Sequence, residues 1–189
     1  MKVFHPSVDI VIAITKVPFK EALNARERER QAIDNLLRQL LGNYELTHNE
    51  SGKPELKGWN ISISHSLNRQ IGFAAVILSR THIVGIDIEY RSERIMKIAD
   101  RFLRDDEKPS TVEDNLVYWC AKEAVYKLFS AEDLTYQQMR VNSQMTEVEN
   151  LKSNTLAHID TMITNEYVLV WTSKKSINGS KNKENLLCA

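Results

Sequence analysis

Apolar residues follow two periods along this chain, one typical of strands and one typical of helices. Residues 8–14 are rich in β-branched side chains, which predicts a strand. In residues 24–41 the apolar side chains recur every three or four positions, which predicts an amphipathic helix. Asn24 is a suitable N-cap for that helix, and Gly42 marks its end.

The same patterns predict the remaining elements. Further strands are expected at residues 59–64, 70–78, 82–90, 155–163 and 166–172, further helices at residues 93–103 and 113–129, and loops at residues 43–58 and 104–112. From residue 173 on, the chain is rich in Ser, Lys and Asn and is expected to fray. The order strand, helix, strand, strand occurs twice, which indicates an α+β protein of two similar halves that share a cleft. We place the halves at residues 1–80 and 81–175, and a flexible tail at residues 176–189.

The composition limits the compartments and the classes of partner that we expect for this protein. The 189 residues carry 25 Lys and Arg against 25 Asp and Glu, so the formal net charge is +0. A balanced charge argues against sequence-independent nucleic-acid binding, which needs a basic surplus. Cys120 and Cys188 are too few for a disulfide framework, and no apolar run is long enough to cross a membrane. We therefore expect a cytoplasmic protein with no membrane or nucleic-acid partner.

An acidic pair lies in the predicted strand at residues 82–90. Because alternate strand residues share a face, Asp87 and Glu89 point one way while Ile86 and Ile88 point the other. Two carboxylates roughly 7 Å apart on one face repel each other unless a positive group lies nearby. A divalent cation such as Mg2+ would relieve that repulsion, although two acids on a solvated strand face would need no metal.

The predicted helix at residues 113–129 carries Trp119, Glu123 and Lys127 along one stripe. A Glu followed by a Lys four residues later is an ordinary surface ion pair, worth about 0.3–0.5 kcal/mol. The Trp on the same stripe favours a partly enclosed site instead, in which a metal and a phosphate would serve as partners. Lys122 lies one residue off the stripe and is expected either to help orient a ligand or to be solvated.

Three weaker features precede these motifs. In residues 61–66, Ile61 and Ile63 are expected to face the core, whereas Ser62 and Ser64 face away from it. A strand that ends in Ser-His-Ser can hold a phosphate, or its hydroxyls can simply cap a turn. The Gly-Lys-Pro segment at residues 52–54 can be an ordinary turn. The arginines of the first predicted helix can be part of a solvated charged face.

The motifs occur in a fixed order, which is GKP at residues 52–54, ISISHS at 61–66, GIDIE at 85–89 and WCAKEAVYK at 119–127. In this order they resemble the 4′-phosphopantetheinyl transferases, in particular the monomeric two-half type that acts on carrier proteins. The resemblance covers about residues 26–129. It implies an α+β fold with two similar halves in a pseudo-twofold arrangement, each a small antiparallel sheet packed with a long helix. It also implies transfer of phosphopantetheine from coenzyme A to a serine of an apo acyl or peptidyl carrier protein.

The resemblance assigns the reaction chemistry to four residues. Asp87, Glu89 and Glu123 would hold Mg2+ against the pyrophosphate of coenzyme A. Asp87, Glu123 and Lys127 would form the catalytic set, with Lys127 touching the phosphates near the reacting centre. Glu123, or a water that it orients, would accept the serine proton while adenosine 3′,5′-bisphosphate leaves.

The resemblance also implies which residues contact coenzyme A. Ser64 and His65 would bind the 3′-phosphate and ribose, with help from a basic residue of the first helix. Backbone around residues 52–54 would recognise adenine, with Lys53 near the phosphates. The full set is Arg26, Arg30, Lys53, Pro54, Ser64, His65 and Lys127.

Two other functions stay open for this sequence. The acidic pair followed by Glu-x-x-x-Lys is slightly similar to the metal sites of Mg2+-dependent nucleases. A carrier-binding module that has lost its activity would carry the same fold, although every motif residue is present here.

Overall fold

The first half of the chain folds into an antiparallel sheet covered by one helix. The computed structural model describes residues 1–176. Its first elements are β1 (Lys2–Ser7), β2 (Ile10–Lys16), α1 (Ala25–Leu41), β3 (Leu46–His48), β4 (Pro54–Leu56), β5 (Asn60–Leu67) and β6 (Gly72–Ser79). The sheet has the order β1-β2-β6-β5, and β3 and β4 form a separate hairpin.

The second half forms a larger antiparallel sheet around a second long helix. Its elements are β7 (His82–Tyr90), a 3-10 turn (Glu93–Ile98), α2 (Ala99–Phe102), α3 (Val112–Leu128), a 3-10 turn (Tyr136–Gln138), β8 (Met139–Val141), β9 (Glu147–Asn150), β10 (Thr155–Ile163) and β11 (Tyr167–Lys175). The sheet order is β7-β11-β10-β9-β8.

The two halves share one connectivity. In the first, β2 leads through α1 to the antiparallel strands β5 and β6, and β6 pairs with β2. In the second, β7 leads through α3 to β10 and β11, and β11 pairs with β7. The predicted mixed fold with antiparallel sheets and long helices is confirmed, whereas the pseudo-twofold arrangement and the division at residue 80 stay predictions.

Local sequence signals set the ends of both long helices. The Asn24 side chain accepts a hydrogen bond from the backbone N–H of Glu27, whose carboxylate accepts one from the N–H of Asn24. Thr111 and Asp114 form the same reciprocal cap at the start of α3. Gly42 ends α1 at a φ of 70°, a conformation that costs glycine nothing.

Several strands lie outside the predicted ones. β1 falls in a segment without strand periodicity, β3 and β4 fall in the predicted loop at residues 43–58, and β8 and β9 precede the first late strand. The predicted helix at residues 93–103 divides into a 3-10 turn and the short α2. No helix within residues 1–176 has the length and apolar character to span a membrane.

The predicted fraying from residue 173 is wrong for residues 173–175. These residues belong to β11, where Lys175 pairs with His82, and the N–H of Ser176 donates to the carbonyl of Thr81 at 2.8 Å. Ladder hydrogen bonds to β7 therefore hold this polar end of the chain. The rest of the predicted tail, residues 177–189, lies outside the described residues.

Apolar cores lie on both faces of β7. Toward the first sheet, Ile86 and Ile88 pack with β2 and β6 side chains such as Ile12 and Ile77. Toward the second helix, Gly85 lies so close to α3 that a β-carbon added there would meet the carbonyl oxygen of Ala124 at 2.0 Å. Glycine at position 85 therefore lets α3 approach the acidic face of β7.

Gly85→Ala should destabilise the protein by about 3 kcal/mol, because the added methyl group must push the α3 backbone away from β7. Urea unfolding at equilibrium measures this loss. The control is Ser173→Ala, an exposed β11 position paired with Val84, for which we expect a change within about 0.5 kcal/mol. Equal stabilities of the two variants would show that the close approach of α3 is unimportant.

Candidate active site

The acidic face of β7 meets the stripe of α3 that carries Trp119, Glu123 and Lys127. Asp87 is 5% exposed, and its Oδ1 accepts a hydrogen bond from Lys127 Nζ at 2.7 Å. The same ammonium group donates to the carbonyl of Ile86 at 2.9 Å. Lys127 therefore pairs with the strand, and the interpretation of Glu123 and Lys127 as a simple surface ion pair does not hold.

Asp87 keeps one oxygen without a partner. Ser64 Oγ donates to Oδ1 at 2.7 Å, so both the serine and Lys127 use that oxygen. The other, Oδ2, is buried and has no hydrogen-bond partner within the described chain. An enclosed carboxylate oxygen without a partner is costly, and a cation beside Oδ2 would reduce that cost.

The carboxylate of Glu89 accepts one hydrogen bond from α3 and one from β5. Its Oε1 accepts a hydrogen bond from Trp119 Nε1 at 3.2 Å, and its Oε2 accepts one from Ser66 Oγ. Burial raises the pKa of Glu89 to about 7, and the charge of Asp87 adds to the increase. Burial and the neighbouring carboxylate thus disfavour the charged form of Glu89, which a bound cation would favour.

Glu123 is oriented by a tyrosine from the segment after α3. Tyr136 Oη donates to Glu123 Oε1 at 2.5 Å, and the Tyr136 ring packs against Trp119 with centroids 5.4 Å apart. Burial raises the pKa of Glu123, and the charge of Asp87 raises it further. Glu123 therefore lies within electrostatic reach of Asp87.

Asp87, Glu89 and Glu123 have the donor chemistry that divalent cations prefer. No group of three or more metal-ligating side chains is already assembled within residues 1–176. However, Oδ2 of Asp87 is buried without a hydrogen-bond partner within the described residues, and the pKa values of Glu89 and Glu123 are raised by burial and then by the charge of Asp87. Carboxylate oxygens are the ligands that Mg2+ prefers, so the donor set suits this ion.

Two adjoining cavities contain most of the residues predicted to contact coenzyme A. The first, of about 280 Å³, is lined by Lys53, Pro54 and Lys127, and Lys53 Nζ donates to Ser130 Oγ at 2.8 Å. This cavity lies between the Gly-Lys-Pro loop and the part of α3 that carries Lys127.

The second cavity, of about 660 Å³, lies between α1 and β5. It is lined by Arg26, Arg30 and His65, and His65 Nδ1 lies 3.2 Å from a carboxylate oxygen of Glu29. Ile63 lines both cavities, so they meet across β5. The Ser64 side chain instead contacts Asp87, so Ser64 and its neighbour His65 point to opposite sides of β5.

The serines of β5 contradict one expectation. Ser62 and Ser64 do not face away from the interior; both are buried and accept hydrogen bonds from the N–H groups of Ile86 and Ile88, at 3.2 and 3.1 Å. β7 is an edge strand of its sheet, so these N–H groups have no neighbouring strand to bond. The serine hydroxyls supply the missing acceptors and bring β5 against the acidic strand.

Lys122 is neither a ligand-orienting nor a solvated residue. It is fully buried, and its Nζ donates to Glu107 Oε2 at 2.6 Å and to the carbonyl of Phe102 at 2.7 Å. Burial lowers its pKa, which the hydrogen bond to Glu107 partly offsets. Lys122 therefore ties α3 to the segment that precedes it.

The sequence pattern gives no reason to select Tyr136, and it includes Ser66 only as part of the Ser-His-Ser motif, with no role in holding Glu89. Tyr136 lies in a one-turn 3-10 segment outside every predicted element, and Ser66 lies beyond the predicted end of its strand. The one signal for Ser66 was its spacing of two residues from Ser64, which repeats the alternation of Asp87 and Glu89.

Acidic and basic side chains that converge beside a cavity are typical of enzymes that act on phosphate-containing ligands. The family model of the 4′-phosphopantetheinyl transferase superfamily matches residues 83–180, slightly more than half of the chain, and the protein belongs to this superfamily. Membership indicates an enzyme that transfers a phosphopantetheinyl group. A search of curated proteins finds no match.

The match covers β7 and α3, and hence both the GIDIE and the WCAKEAVYK motifs. The residues predicted to contact coenzyme A in the first half, from Arg26 to His65, lie outside it. Their assignment depends on their position around the two cavities.

Proposed function

We propose that this protein transfers 4′-phosphopantetheine from coenzyme A to a serine of an apo carrier protein in the presence of Mg2+. The observation that carries the proposal is the convergence of Asp87, Glu123 and Lys127, the last of which lines the cavity of about 280 Å³. Acids for a metal and a lysine for phosphate are the groups that phosphoryl transfer needs at one place.

Asp87, Glu89 and Glu123 would hold the Mg2+. When bound, the ion would neutralise pyrophosphate charge, as metal ions do in phosphoryl transfer. Asp87 contributes its partnerless Oδ2, while Ser66 and Trp119 fix the carboxylate of Glu89.

Coenzyme A would lie across β5, with its parts in the two adjoining cavities. Lys53 and Pro54 would border the adenine and the phosphates in the smaller cavity. Arg26, Arg30 and His65 would contact the 3′-phosphate in the larger one. Ser64 would act by holding Asp87 rather than by touching the nucleotide, because its hydroxyl already bonds β7.

The transfer step forms one bond and breaks one. The carrier serine oxygen attacks the β-phosphorus of coenzyme A, and the bond from that phosphorus to the bridging oxygen breaks. Glu123, or a water that it orients, would take the serine proton. Lys127 stabilises the negative charge that develops on the departing adenosine 3′,5′-bisphosphate.

We further propose that the halves are related by a pseudo-twofold axis and that the protein is a cytoplasmic monomer. The support is their shared connectivity, since two such halves in one chain already supply the walls of a cleft. The partner would be an acyl or peptidyl carrier protein.

Mass spectrometry of an apo carrier protein after incubation with coenzyme A and Mg2+ tests the function directly. We expect the carrier to gain the mass of one phosphopantetheine group, and to gain none when EDTA is present. A carrier that binds but gains no mass would indicate an inactive module. Cleavage of plasmid DNA under the same conditions would favour a nuclease instead.

Lys127→Met should lower kcat about 10²-fold while raising the KM for coenzyme A less than fivefold, because the lysine acts mainly on charge that develops during transfer. Steady-state kinetics with purified variants separates the two constants. Lys97→Met, an exposed position on the 3-10 turn before α2, serves as the control. An unchanged kcat would remove Lys127 from the catalytic set.

A further inference from the structure

A third cavity lies on the opposite side of α1 from the proposed coenzyme A site. It has a volume of about 300 Å³, at the lower end for small-ligand pockets. Its polar lining includes Lys16, Lys20, Arg28, Gln31, Asn35 and Gln39. Within the described chain no acidic side chain lines it, so the cavity wall carries positive charge and amide groups.

Arg28 is the unusual residue in this wall. It is only 8% exposed, and its Nε atom is buried without a hydrogen-bond partner within residues 1–176. Its guanidinium carbon lies 5.4 Å from the centroid of the Phe19 ring, which covers the group without accepting its hydrogen bonds in the plane. An enclosed guanidinium with an unused donor is costly, and an anion beside it would reduce that cost.

The neighbouring side chains are placed to assist. Lys20 Nζ donates to Gln31 Oε1 at 3.1 Å, which holds the ammonium group at the cavity wall. Lys16 forms an ion pair with Glu166 at 2.6 Å, which largely neutralises its charge. Arg28 and Lys20 therefore line the cavity as cations that have no acidic partner within the described residues.

We propose that this cavity binds a small oxyanion, a phosphate or carboxylate group, through Arg28 and Lys20. Guanidinium groups present a planar set of donors that matches such oxyanions, and the amide groups of Gln31 and Asn35 add neutral donors. The site is separate from the one that would take coenzyme A and does not depend on the proposed transferase function.

NMR of the full-length protein with 15N-labelled arginine tests the site. The Arg28 Nε–H signal, identified by its absence in Arg28→Lys, should shift saturably as inorganic phosphate or acetate is added at constant ionic strength. The stronger of the two titrations identifies the anionic group. No saturable shift with either anion, or the same shift with sodium chloride, would overturn the proposal.

Two variants separate this site from the other arginine cavity. Both variants are compared through the Gln31 backbone amide in uniformly 15N-labelled protein, because Gln31 lines the cavity and is present in each. Arg28→Lys keeps the charge but loses the planar donor set, and should weaken the anion affinity measured at this amide by about tenfold. Arg30→Lys changes an arginine that lines the cavity on the other face and should leave that affinity unchanged. If Arg30→Lys weakens the affinity and Arg28→Lys does not, the oxyanion binds on the β5 side and the proposal is wrong.

Discussion

Asp87→Asn is expected to reduce transfer to a carrier protein at least ~10³-fold, the scale of losing a central charged group in a catalytic site. The amide has nearly the shape of the carboxylate, so it still accepts a hydrogen bond from Ser64. It cannot, however, offer Mg2+ an anionic oxygen at the position of Oδ2. The mass gain of the carrier, followed over time at saturating coenzyme A and Mg2+, measures the loss.

The stability of Asp87→Asn separates a chemical effect from unfolding. Removal of the charge breaks the ion pair with Lys127 but also relieves repulsion with Glu89 and Glu123. We therefore expect the free energy of unfolding to change by no more than about 1 kcal/mol. The matched control is Asp160→Asn on the exposed side of β10, which should transfer at the normal rate. An active Asp87→Asn protein would end the assignment of the metal site.

Elements with strong local signals could be predicted from the sequence. The start and end of α1 follow from Asn24 and Gly42, and β7 and β10 were predicted with their observed bounds. The alternation in β7 also predicted correctly that Asp87 and Glu89 share a face. These features depend on neighbours in the chain, so a single sequence contains the information.

Features set by distant contacts could not be predicted in this way. β1 is an edge strand that is exposed along most of its length, and its pairing with β2 is irregular between Phe4 and Ser7. A strand of this kind needs no alternation of apolar residues, so the sequence pattern does not reveal it. The alternation of polar and apolar residues in β5 predicts that its serines face solvent. Their actual partners are N–H groups of β7, about 24 residues later in the chain.

The candidate site shows the same division. The stripe of Trp119, Glu123 and Lys127 follows from helical spacing. The structure adds that Trp119 and Lys127 donate hydrogen bonds to Glu89 and Asp87 of β7. Tyr136 could not be found, because only folding brings its hydroxyl to Glu123. The fold thus adds a set of supporting hydrogen bonds around residues that the motifs already contain.

Lys122 belongs to the WCAKEAVYK motif but has a structural role, because it pairs with the buried Glu107. Of the substitutions considered, its replacement should have the largest effect on stability. Lys122→Met should destabilise the protein by about 3–5 kcal/mol, because it leaves Glu107 as a buried charge without its cation. Glu107 also accepts hydrogen bonds from the backbone N–H groups of Arg104 and Val141, at 2.9 and 2.8 Å. Equilibrium unfolding in urea measures the loss.

A second substitution distinguishes loss of charge pairing from loss of packing. In Lys122→Met/Glu107→Gln the unpaired charge is gone, while the amide oxygen still accepts a hydrogen bond from one of the backbone N–H groups. This double variant should therefore regain more than about 1 kcal/mol relative to Lys122→Met. Lys108→Met, an exposed lysine beside Glu107, should change stability by less than about 0.5 kcal/mol. A double variant no more stable than Lys122→Met would show that the unpaired charge of Glu107 is not the cause of the loss.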